Sequence, residues 1–335
     1  MSDNESDEGK KRPGRPKKKI IKKEVAHEGI VDKPYNIKEE ENNPGMVNVV
    51  EVVYDNPNMW KKIFHLFKTM SVENIRVLFD REVIKMYAQD HNENSRVYVK
   101  IFGNAINRYY CHEPLEISLK CSNFQKVLHT ITKEYGQVIM AINRQNRKSK
   151  IDIILANDEL DEDGIYSIDT DIIDPYDWSI ENSIALEDTY HVKFEIPAKF
   201  FKKKVSDNEA LCDVFRIEKN GHEGLRFTYT FKDKRGMYEA RFKNSGKLNL
   251  ISTVEEEDLF STSVYLEHIK PFSGSLISDY INISAHNEHD IIFTAYLDQD
   301  EKTYKDYKGQ KKKYKMAGTE KCIIKVITNI VRNYT

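Results

Sequence analysis

The sequence predicts an α+β protein built from two similar domains, each with antiparallel strands and two helices. Two patterns lead to this fold class. Most segments between residues 47 and 331 alternate apolar and polar side chains, as half-buried strands do. The order strand, helix, strands, helix, strands also occurs twice, with corresponding helices about 140 residues apart, which is the scale of a duplicated domain. A hydrophobic fraction of 39% allows a core to form beneath a surface rich in charge.

Composition and pattern divide the chain into predicted parts. They are a polar arm, a first domain, a connecting linker and a second domain, at 1–45, 46–170, 171–188 and 189–335. A Lys/Tyr-rich insertion at 302–315 lies inside the second domain and is predicted to be a mobile loop.

The arm lacks hydrophobic periodicity and is predicted to be disordered. It contains Lys10-Lys-Arg-Pro-Gly-Arg-Pro-Lys-Lys-Lys19, which resembles an AT-hook, a motif that lies extended in the minor groove of A·T-rich DNA. Prolines favour the extended backbone, and Arg12 and Arg15 supply the positive charge that a narrow minor groove attracts. The same run also fits a nuclear-import signal or a solvated charge cluster, so all three interpretations stay open.

The first domain begins with a β-rich run at 47–54 and a helix at 58–70. Alternating segments predict strands at 72–79, 82–88, 95–102 and 115–119. A second helix fits 122–133, and three more strands follow at 137–142, 150–155 and 163–169.

The second domain repeats this order. A strand at 190–196 leads to Pro197, which favours the first turn of a helix. Strands follow at 212–218, 224–231 and 237–243, with Asn220-Gly221 as a hairpin turn. A short helix near 265–270 is expected to end at Pro271. The last strands are predicted at 279–285, 290–297 and 320–331.

The two helices of the first domain combine an apolar stripe with a basic outer face. In the first helix, Trp60, Ile63, Phe64 and Phe67 recur at helical spacing. In the second helix, the corresponding stripe is Phe124, Val127, Leu128 and Ile131. The opposite faces carry the candidate DNA-contacting residues Lys61, Lys62, His65 and Lys68, and then Lys126, His129 and Lys133.

The helices of the second domain follow the same design. The third helix sets Phe200, Phe201 and Val205 against four lysines, Lys199, Lys202, Lys203 and Lys204. The fourth helix contributes Lys270. Residues 1–23 carry nine Lys/Arg and four Asp/Glu, so the rest of the chain is net acidic. Basic helical faces on an acidic body suit a surface that follows phosphates without reading bases.

The linker region has an unusual composition. From Ala156 to Tyr190 there is no Lys or Arg, against twelve Asp/Glu. Its apolar residues, among them Tyr176 and Trp178, are uncommon in a free linker, so we expect them to pack against another surface.

The sequence offers no catalytic, cofactor or metal site. P-loop, GxSxG, HExxH and GxGxxG motifs are missing. His286-Asn-Glu-His289 and the acidic run 158–163 lack the spacing of metal ligands and are interpreted as polar loops. The four cysteines lie far apart and are expected to be thiols in a reducing compartment. No run of 18 apolar residues predicts a membrane span.

Several segments resemble the proliferating cell nuclear antigen family of DNA sliding clamps. Trp60-Lys-Lys-Ile-Phe-His-Leu-Phe-Lys68 is similar to the first helix of that family, including its DNA-facing lysines. Phe194-Glu-Ile-Pro-Ala-Lys-Phe-Phe201 resembles the start of its second domain, and Ser263-Val-Tyr-Leu266 the strand before its last helix. The basic arm, with Tyr54-Asp-Asn-Pro57, most resembles the divergent clamp-like proteins of large DNA viruses.

This resemblance implies a fold of two sliding-clamp (processivity-fold) domains, with antiparallel sheets outside and two helices from each domain lining the inner face of a ring. Three subunits would join head to tail through an edge strand near 165–172 and one near 237–243. The linker would border a groove that accepts short peptide motifs from partner proteins, in which Ile184 and Leu186 match the family's groove positions. Tyr176 and Trp178 are further candidates for partner binding at this groove.

The implied function is that of a non-catalytic sliding clamp and DNA polymerase processivity factor. It would encircle duplex DNA without sequence preference and tether polymerase and other replication or repair proteins. Its expected location is the host nucleus or a cytoplasmic site of viral replication. Two alternatives stay open: a clamp-fold viral late transcription factor that does not close a ring, and an AT-hook architectural protein whose body is a scaffold.

Overall fold

The computed structural model describes residues 48–331, apart from gaps at 55–56, 132–136, 146–148, 158–161, 172–173, 175, 180–189, 221–223, 242–247, 253–258, 276, 298–300, 306–310 and 316–321. The predicted arm, with Arg12 and Arg15, lies outside the described residues. None of the helices in the described part of the chain has the length and apolar character needed to span a bilayer.

Four helices and twenty strands make up the described fold. The helices are α1 (Pro57–Thr69), α2 (Cys121–Thr130), α3 (Ala198–Asn208) and α4 (Leu266–Ser275). The first nine strands are β1 (Asn48–Tyr54), β2 (Asn74–Phe79), β3 (Val83–Gln89), β4 (Ser95–Phe102), β5 (Arg108–Cys111), β6 (Leu115–Lys120), β7 (Gln137–Asn143), β8 (Lys150–Asn157) and β9 (Glu162–Asp169).

The later strands begin after the linker. They are β10 (Val192–Pro197), β11 (Cys212–Asn220), β12 (Arg226–Phe231), β13 (Met237–Arg241), β14 (Asn249–Ser252), β15 (Leu259–Tyr265), β16 (Tyr280–Ala285), β17 (Ile291–Leu297), β18 (Glu301–Lys305), β19 (Lys311–Lys315) and β20 (Cys322–Thr328). The predicted α+β class is confirmed, since these strands pair antiparallel and four helices accompany them.

Three main sheets carry the helices. Their strand orders are β5-β1-β7-β8-β9, β14-β10-β16-β17-β20-β4-β3-β2-β6 and β13-β12-β11-β15. The nine-stranded sheet spans both halves of the chain, because β20 pairs antiparallel with β4 from Cys322 opposite Ile101 to Thr328 opposite Ser95.

The sheet orders show the predicted duplication directly. The five-stranded order β5-β1-β7-β8-β9 of the first repeat corresponds, strand for strand, to β14-β10-β16-β17-β20 of the second. The order β4-β3-β2-β6 likewise corresponds to β13-β12-β11-β15. The nine-stranded sheet is therefore the five-stranded part of the second repeat joined to the four-stranded part of the first.

The core lies between the helices and the sheets. The apolar stripe predicted for α1 is buried, with Trp60, Ile63, Phe64 and Phe67 each no more than 1% exposed. The Phe64 ring stacks on Phe124 of α2, with centroids 4.1 Å apart. In α3, Phe201 and Val205 are buried, whereas Phe200 is partly exposed and packs at the core margin.

Two predictions about the second repeat are wrong. Pro271 does not end α4, which continues to Ser275. The proline removes the hydrogen bond to the carbonyl of Glu267, a residue exposed to solvent, while Phe272 just beyond it is buried against Phe293 at 5.5 Å. Burial of that ring offsets the cost of the proline.

The insertion is the second correction. The sequence predicts a mobile loop at 302–315, but β18 and β19 pair antiparallel as a two-stranded ribbon, from Glu301 opposite Lys315 to Lys305 opposite Lys311. Thr303, Tyr304 and Tyr314 have the strand preference that this pairing needs, which the many lysines obscure in the sequence.

The stacked pair Phe64–Phe124 is expected to contribute strongly to stability. We predict that Phe64→Ala lowers the free energy of unfolding by about 3–5 kcal/mol, because it leaves a cavity beneath two helices. Denaturant titration followed by circular dichroism measures this change. The adjacent exposed variant His65→Ala is the control and should stay within about 0.5 kcal/mol of the parent; equal stability of the two variants would contradict the assignment.

Candidate nucleic-acid interface

The four helices form one layer on the sheets. In this layer, α1 lies against α2, where the Gln125 side chain donates to the Phe64 carbonyl at 2.9 Å. α3 lies against α4, and α4 also contacts α1, where the Thr69 hydroxyl lies 3.4 Å from the Pro271 carbonyl oxygen. The order across the layer is therefore α2, α1, α4, α3, with helices of both repeats on one surface.

This layer carries most of its charge as lysine. The four helices contain nine lysines and two acidic residues, Asp207 and Glu267. α1 and α2 contain no acid at all. The excess of positive charge predicted from the sequence is therefore concentrated on one layer of an otherwise acidic chain.

On α1 the predicted contact residues separate into two groups. Lys62, His65 and Lys68 are exposed, on the side away from the buried stripe. Lys61 is half-buried, and its ammonium group donates a hydrogen bond to the carbonyl of Ile131, the residue that follows α2. A cation at the C-terminal end of a helix is favourable because carbonyl groups there lack partners. Lys61 therefore links α1 to α2 as well as adding charge.

α2 contributes fewer cations. Lys126 and His129 are exposed on its outer face, as predicted, while Lys133 lies outside the described residues.

On α3 and α4, too, some lysines are exposed without a partner among the described residues, and others contact a neighbouring element. Lys199 and Lys203 are exposed. Lys202 donates to the Gly274 carbonyl of α4 at 3.3 Å. Lys204 turns towards the sheet edge, where its ammonium group lies 3.4 Å from the Tyr238 hydroxyl and 5.6 Å from the centre of the Phe200 ring. Lys270 is exposed but pairs with Glu209 at 3.1 Å.

The sequence pattern could not separate free from engaged lysines, because each engaged lysine contacts another helix or a sheet edge. Five lysines of the helices are exposed and have no hydrogen bond or ion pair with another described residue: Lys62, Lys68, Lys126, Lys199 and Lys203. Their spread over three helices suits contacts with several phosphates.

The first part of the linker crosses the outer face of the nine-stranded sheet. Asp171 exchanges two backbone hydrogen bonds with Ser118 on β6. Arg76 on β2 then donates to the Asp174 carbonyl at 2.6 Å. Tyr176 reaches β3 and β4, where its ring stacks on Tyr87 at 4.5 Å and its hydroxyl lies 3.1 Å from that of Tyr98.

Tyr176 is therefore held by the sheet, as the apolar composition of the linker predicted. Burial and the hydrogen bond with Tyr98 raise the pKa of Tyr176 above its usual value, so its hydroxyl stays protonated. Trp178 packs edge-on against it at 5.1 Å. Ile184 and Leu186 lie outside the described residues. The platform of Tyr87 and Tyr98 was missed from the sequence, because its members come from two strands and look like ordinary strand tyrosines.

A second apolar cluster continues this outer face towards the end of the linker. Tyr98, Ile292 and Ile327 are buried together, with Tyr87 and Tyr190 packed against them. Tyr190 donates to the Asp290 carbonyl at 3.1 Å, so the end of the linker is fixed here.

Three histidines lie near Tyr190. The His286 ring lies 4.1 Å from His191 and 4.2 Å from His289, with the rings tilted by about 30° or less. Burial and the two neighbouring imidazoles lower the pKa of His286, which keeps it neutral at pH 7. Within the described residues, no group of three or more His, Cys, Asp or Glu side chains is arranged to hold a metal ion.

Two sheet edges complete the geometry. β9 is the last strand of the five-stranded sheet, and β13 is the last strand of the four-stranded sheet. Both expose apolar side chains, with Ile165 and Met237 each 66% exposed and Tyr238 41% exposed. Exposed apolar edges of this kind are protected in most proteins.

Comparison with known proteins agrees with this geometry. Residues 49–177 match the family described as proliferating cell nuclear antigen, N-terminal domain. The crystal structure of proliferating cellular nuclear antigen from Entamoeba histolytica superposes with a TM-score of 0.62 at 13% identity, covering 85% of this chain and 99% of that one. The chain thus has the fold of the sliding clamps, and the predicted resemblance to the proliferating cell nuclear antigen family is confirmed.

The viral part of the resemblance is confirmed as well. The chain is 26% identical over 302 residues to the uncharacterized protein E301R of African swine fever virus, covering 88% of this chain and 95% of that protein. The match is the same for the isolate from Kenya and the Badajoz strain. The chain is therefore similar to a viral protein along nearly the whole length of both.

The bond from Lys61 to Ile131 can be tested separately from any ligand. We predict that Lys61→Met lowers the free energy of unfolding by about 1 kcal/mol, because it leaves the Ile131 carbonyl without its charged donor. Lys62→Met removes an exposed charge from the next position and should change stability by less than about 0.5 kcal/mol. Urea denaturation of the two variants decides this; a larger destabilisation by Lys62→Met would be incompatible with the bond.

Proposed function

We propose that this protein is a non-catalytic DNA sliding clamp that closes into a ring around duplex DNA and serves as a processivity factor for DNA polymerase. The observation that supports ring closure most strongly is internal. Two of the edge strands, β9 and β13, correspond in the other repeat to β20 and β4, which pair with each other inside the chain.

If the strand pairing that joins the two repeats within one chain also occurs between neighbouring chains, the chains close into a ring. β20 and β4 join the second repeat to the first, and the same pairing of β9 with β13 of a neighbour joins one chain to the next. This contact uses two different surfaces, so it is head to tail and forms a ring when the rotation closes. Pairing also removes both exposed edges. The family resemblance implies three chains, which would give six equivalent repeats.

Duplex DNA is the ligand that the helix layer fits. In a ring with its sheets outside, the layer faces the hole, and its exposed lysines lie opposite phosphates. Phosphate contacts carry little sequence information, so binding is independent of sequence and sensitive to salt. An otherwise acidic body discourages DNA from binding elsewhere.

The outer face supplies the docking site for clients. The linker and the platform of Tyr87 and Tyr98 form an apolar strip with Tyr176 and Trp178 along it. Polymerase and other replication or repair proteins bind there through short peptide motifs and are held near the DNA. A viral clamp of this kind acts in the host nucleus or at a cytoplasmic replication site.

Ring closure is tested with a variant of the open edge. The parent protein is expected to sediment at about three times the 39.3 kDa of one chain. Ile165→Asp places a charge in the subunit contact and should shift the protein towards monomer at micromolar concentration.

The control for this variant is Leu211→Asp, at an equally exposed apolar residue outside the edges, 64% exposed against 66% for Ile165. It should leave the trimer intact. A parent protein that is monomeric throughout would refute ring closure and favour the clamp-fold factor that acts without a ring.

The helix layer is tested by its lysines. Lys62→Ala with Lys203→Ala should weaken binding to all duplex sequences alike and should reduce the slope of log K against log salt by about 0.9 for each phosphate that is no longer neutralised. Fluorescence anisotropy with two duplexes of unrelated sequence measures both effects. The control variant, Lys150→Ala with Lys234→Ala, removes two exposed lysines outside the helices and should change neither the affinity for duplex DNA nor the salt slope. Weaker binding of the Lys62→Ala, Lys203→Ala variant to only one of the two sequences would contradict the proposal.

A further inference from the structure

The ribbon of β18 and β19 is an addition to the repeated fold. It lies between β17 and β20, whereas the corresponding strands of the first repeat, β8 and β9, are joined by a short connection from Asn157 to Glu162. Residues 301–315 contain seven lysines, three tyrosines and two acidic residues. The acidic run at 158–163 stands at the corresponding place in the first repeat, so the charge at this position is reversed between the repeats.

The register concentrates positive charge on one face of the ribbon. Directly paired positions share a face, and residues two apart along a strand return to it. Positions 301, 303 and 305 therefore share a face with 311, 313 and 315, and four of these six positions are lysine, against one acidic residue, Glu301. Lys305 is paired with Lys311, and like charges at directly opposite positions are destabilising.

The ribbon also lacks the usual sources of sheet stability. Among the described residues, β18 and β19 pair only with each other. A two-stranded ribbon alone is marginally stable in water, and opposed lysines weaken it further. A bound polyanion relieves this repulsion, so the sequence favours a ribbon that is stabilised by a ligand.

The ribbon departs from the end of the nine-stranded sheet at which the helix α3 begins. It leaves the nine-stranded sheet between Leu297 and Cys322, which are paired at the end of β17 and the start of β20. At the same end, Pro197 is paired with Tyr280, where β10 passes into α3. Neighbouring strands are about 4.8 Å apart, so β17, two strands from β10, is about 10 Å from the start of α3.

We propose that this ribbon is a second DNA-binding site, which contacts the phosphate backbone of the duplex where it leaves the helix layer. A strand pair of five residues is about 17 Å long, and a two-stranded ribbon has the dimensions of the major groove. Its lysines add phosphate contacts, so it strengthens binding without sequence preference. The choice of DNA as the polyanion rests on the proposed clamp function.

The test uses the full-length protein and a duplex oligonucleotide, with anisotropy measured between about 50 and 200 mM salt. Lys305→Ala with Lys311→Ala and Lys313→Ala should reduce the salt slope by up to about 2.7, from about 0.9 for each of three phosphates. The same three positions changed to Arg keep the charge and should keep the slope. Both variants should sediment as the parent does, because the ribbon is not part of the subunit contact.

Four results would overturn the proposal. If the Ala variant keeps the parent's slope while Lys62→Ala with Lys203→Ala reduces it, the ribbon does not touch DNA but the clamp function stands. If the Ala variant keeps its DNA affinity but self-associates, the lysines protect the open strand edges. If it keeps its DNA affinity but no longer binds polyglutamate that the parent binds, the partner is an acidic protein. A parent that binds no duplex at all refutes both this proposal and the clamp function.

Discussion

The pairing of β20 with β4 is the contact on which the rest of the structure depends. Seven residues of each strand are paired, from Cys322 to Thr328 and from Ser95 to Ile101. The junction is buried, and at one end the hydroxyls of Ser95 and Thr328 lie 3.3 Å apart. Beside it, Arg96 and Asp290 form an ion pair at 2.6 Å between the repeats. Because strand pairing is directional, this contact sets the orientation of one repeat relative to the other.

That orientation builds both candidate surfaces. It brings α4 against α1, so the two helix pairs become one layer with lysines from both repeats. On the opposite face it sets Tyr98 beside Ile292 and Ile327, so that the outer apolar strip crosses from the first repeat to the second. It also leaves β9 and β13, the counterparts of β20 and β4, as edge strands. One junction therefore accounts for the basic helix layer, the outer apolar strip and the position of these two edge strands.

Local patterns in the sequence are sufficient to predict much of this fold. The stripe from Trp60 to Phe67 predicts α1, since helical spacing and burial both act over a few residues. Local patterns do not predict the position of a side chain that is held by a contact with a distant part of the chain. Lys61 bonds a carbonyl 70 residues away, Lys204 turns to an edge strand, and Tyr176 stacks on a strand far back in the chain. Pro271 is wrongly predicted to end its helix, because the burial of the Phe272 ring that offsets it cannot be seen from spacing alone.

Topological retention on DNA tests ring closure most directly. The protein is loaded on a nicked circular plasmid, the nick is sealed, and salt is raised until phosphate contacts no longer hold the protein. A closed ring remains on the sealed circle and leaves within the time of sliding once a restriction enzyme cuts the DNA. Equally fast release from circular and linear DNA at the same salt concentration would show that the protein binds DNA without encircling it, and would contradict the clamp.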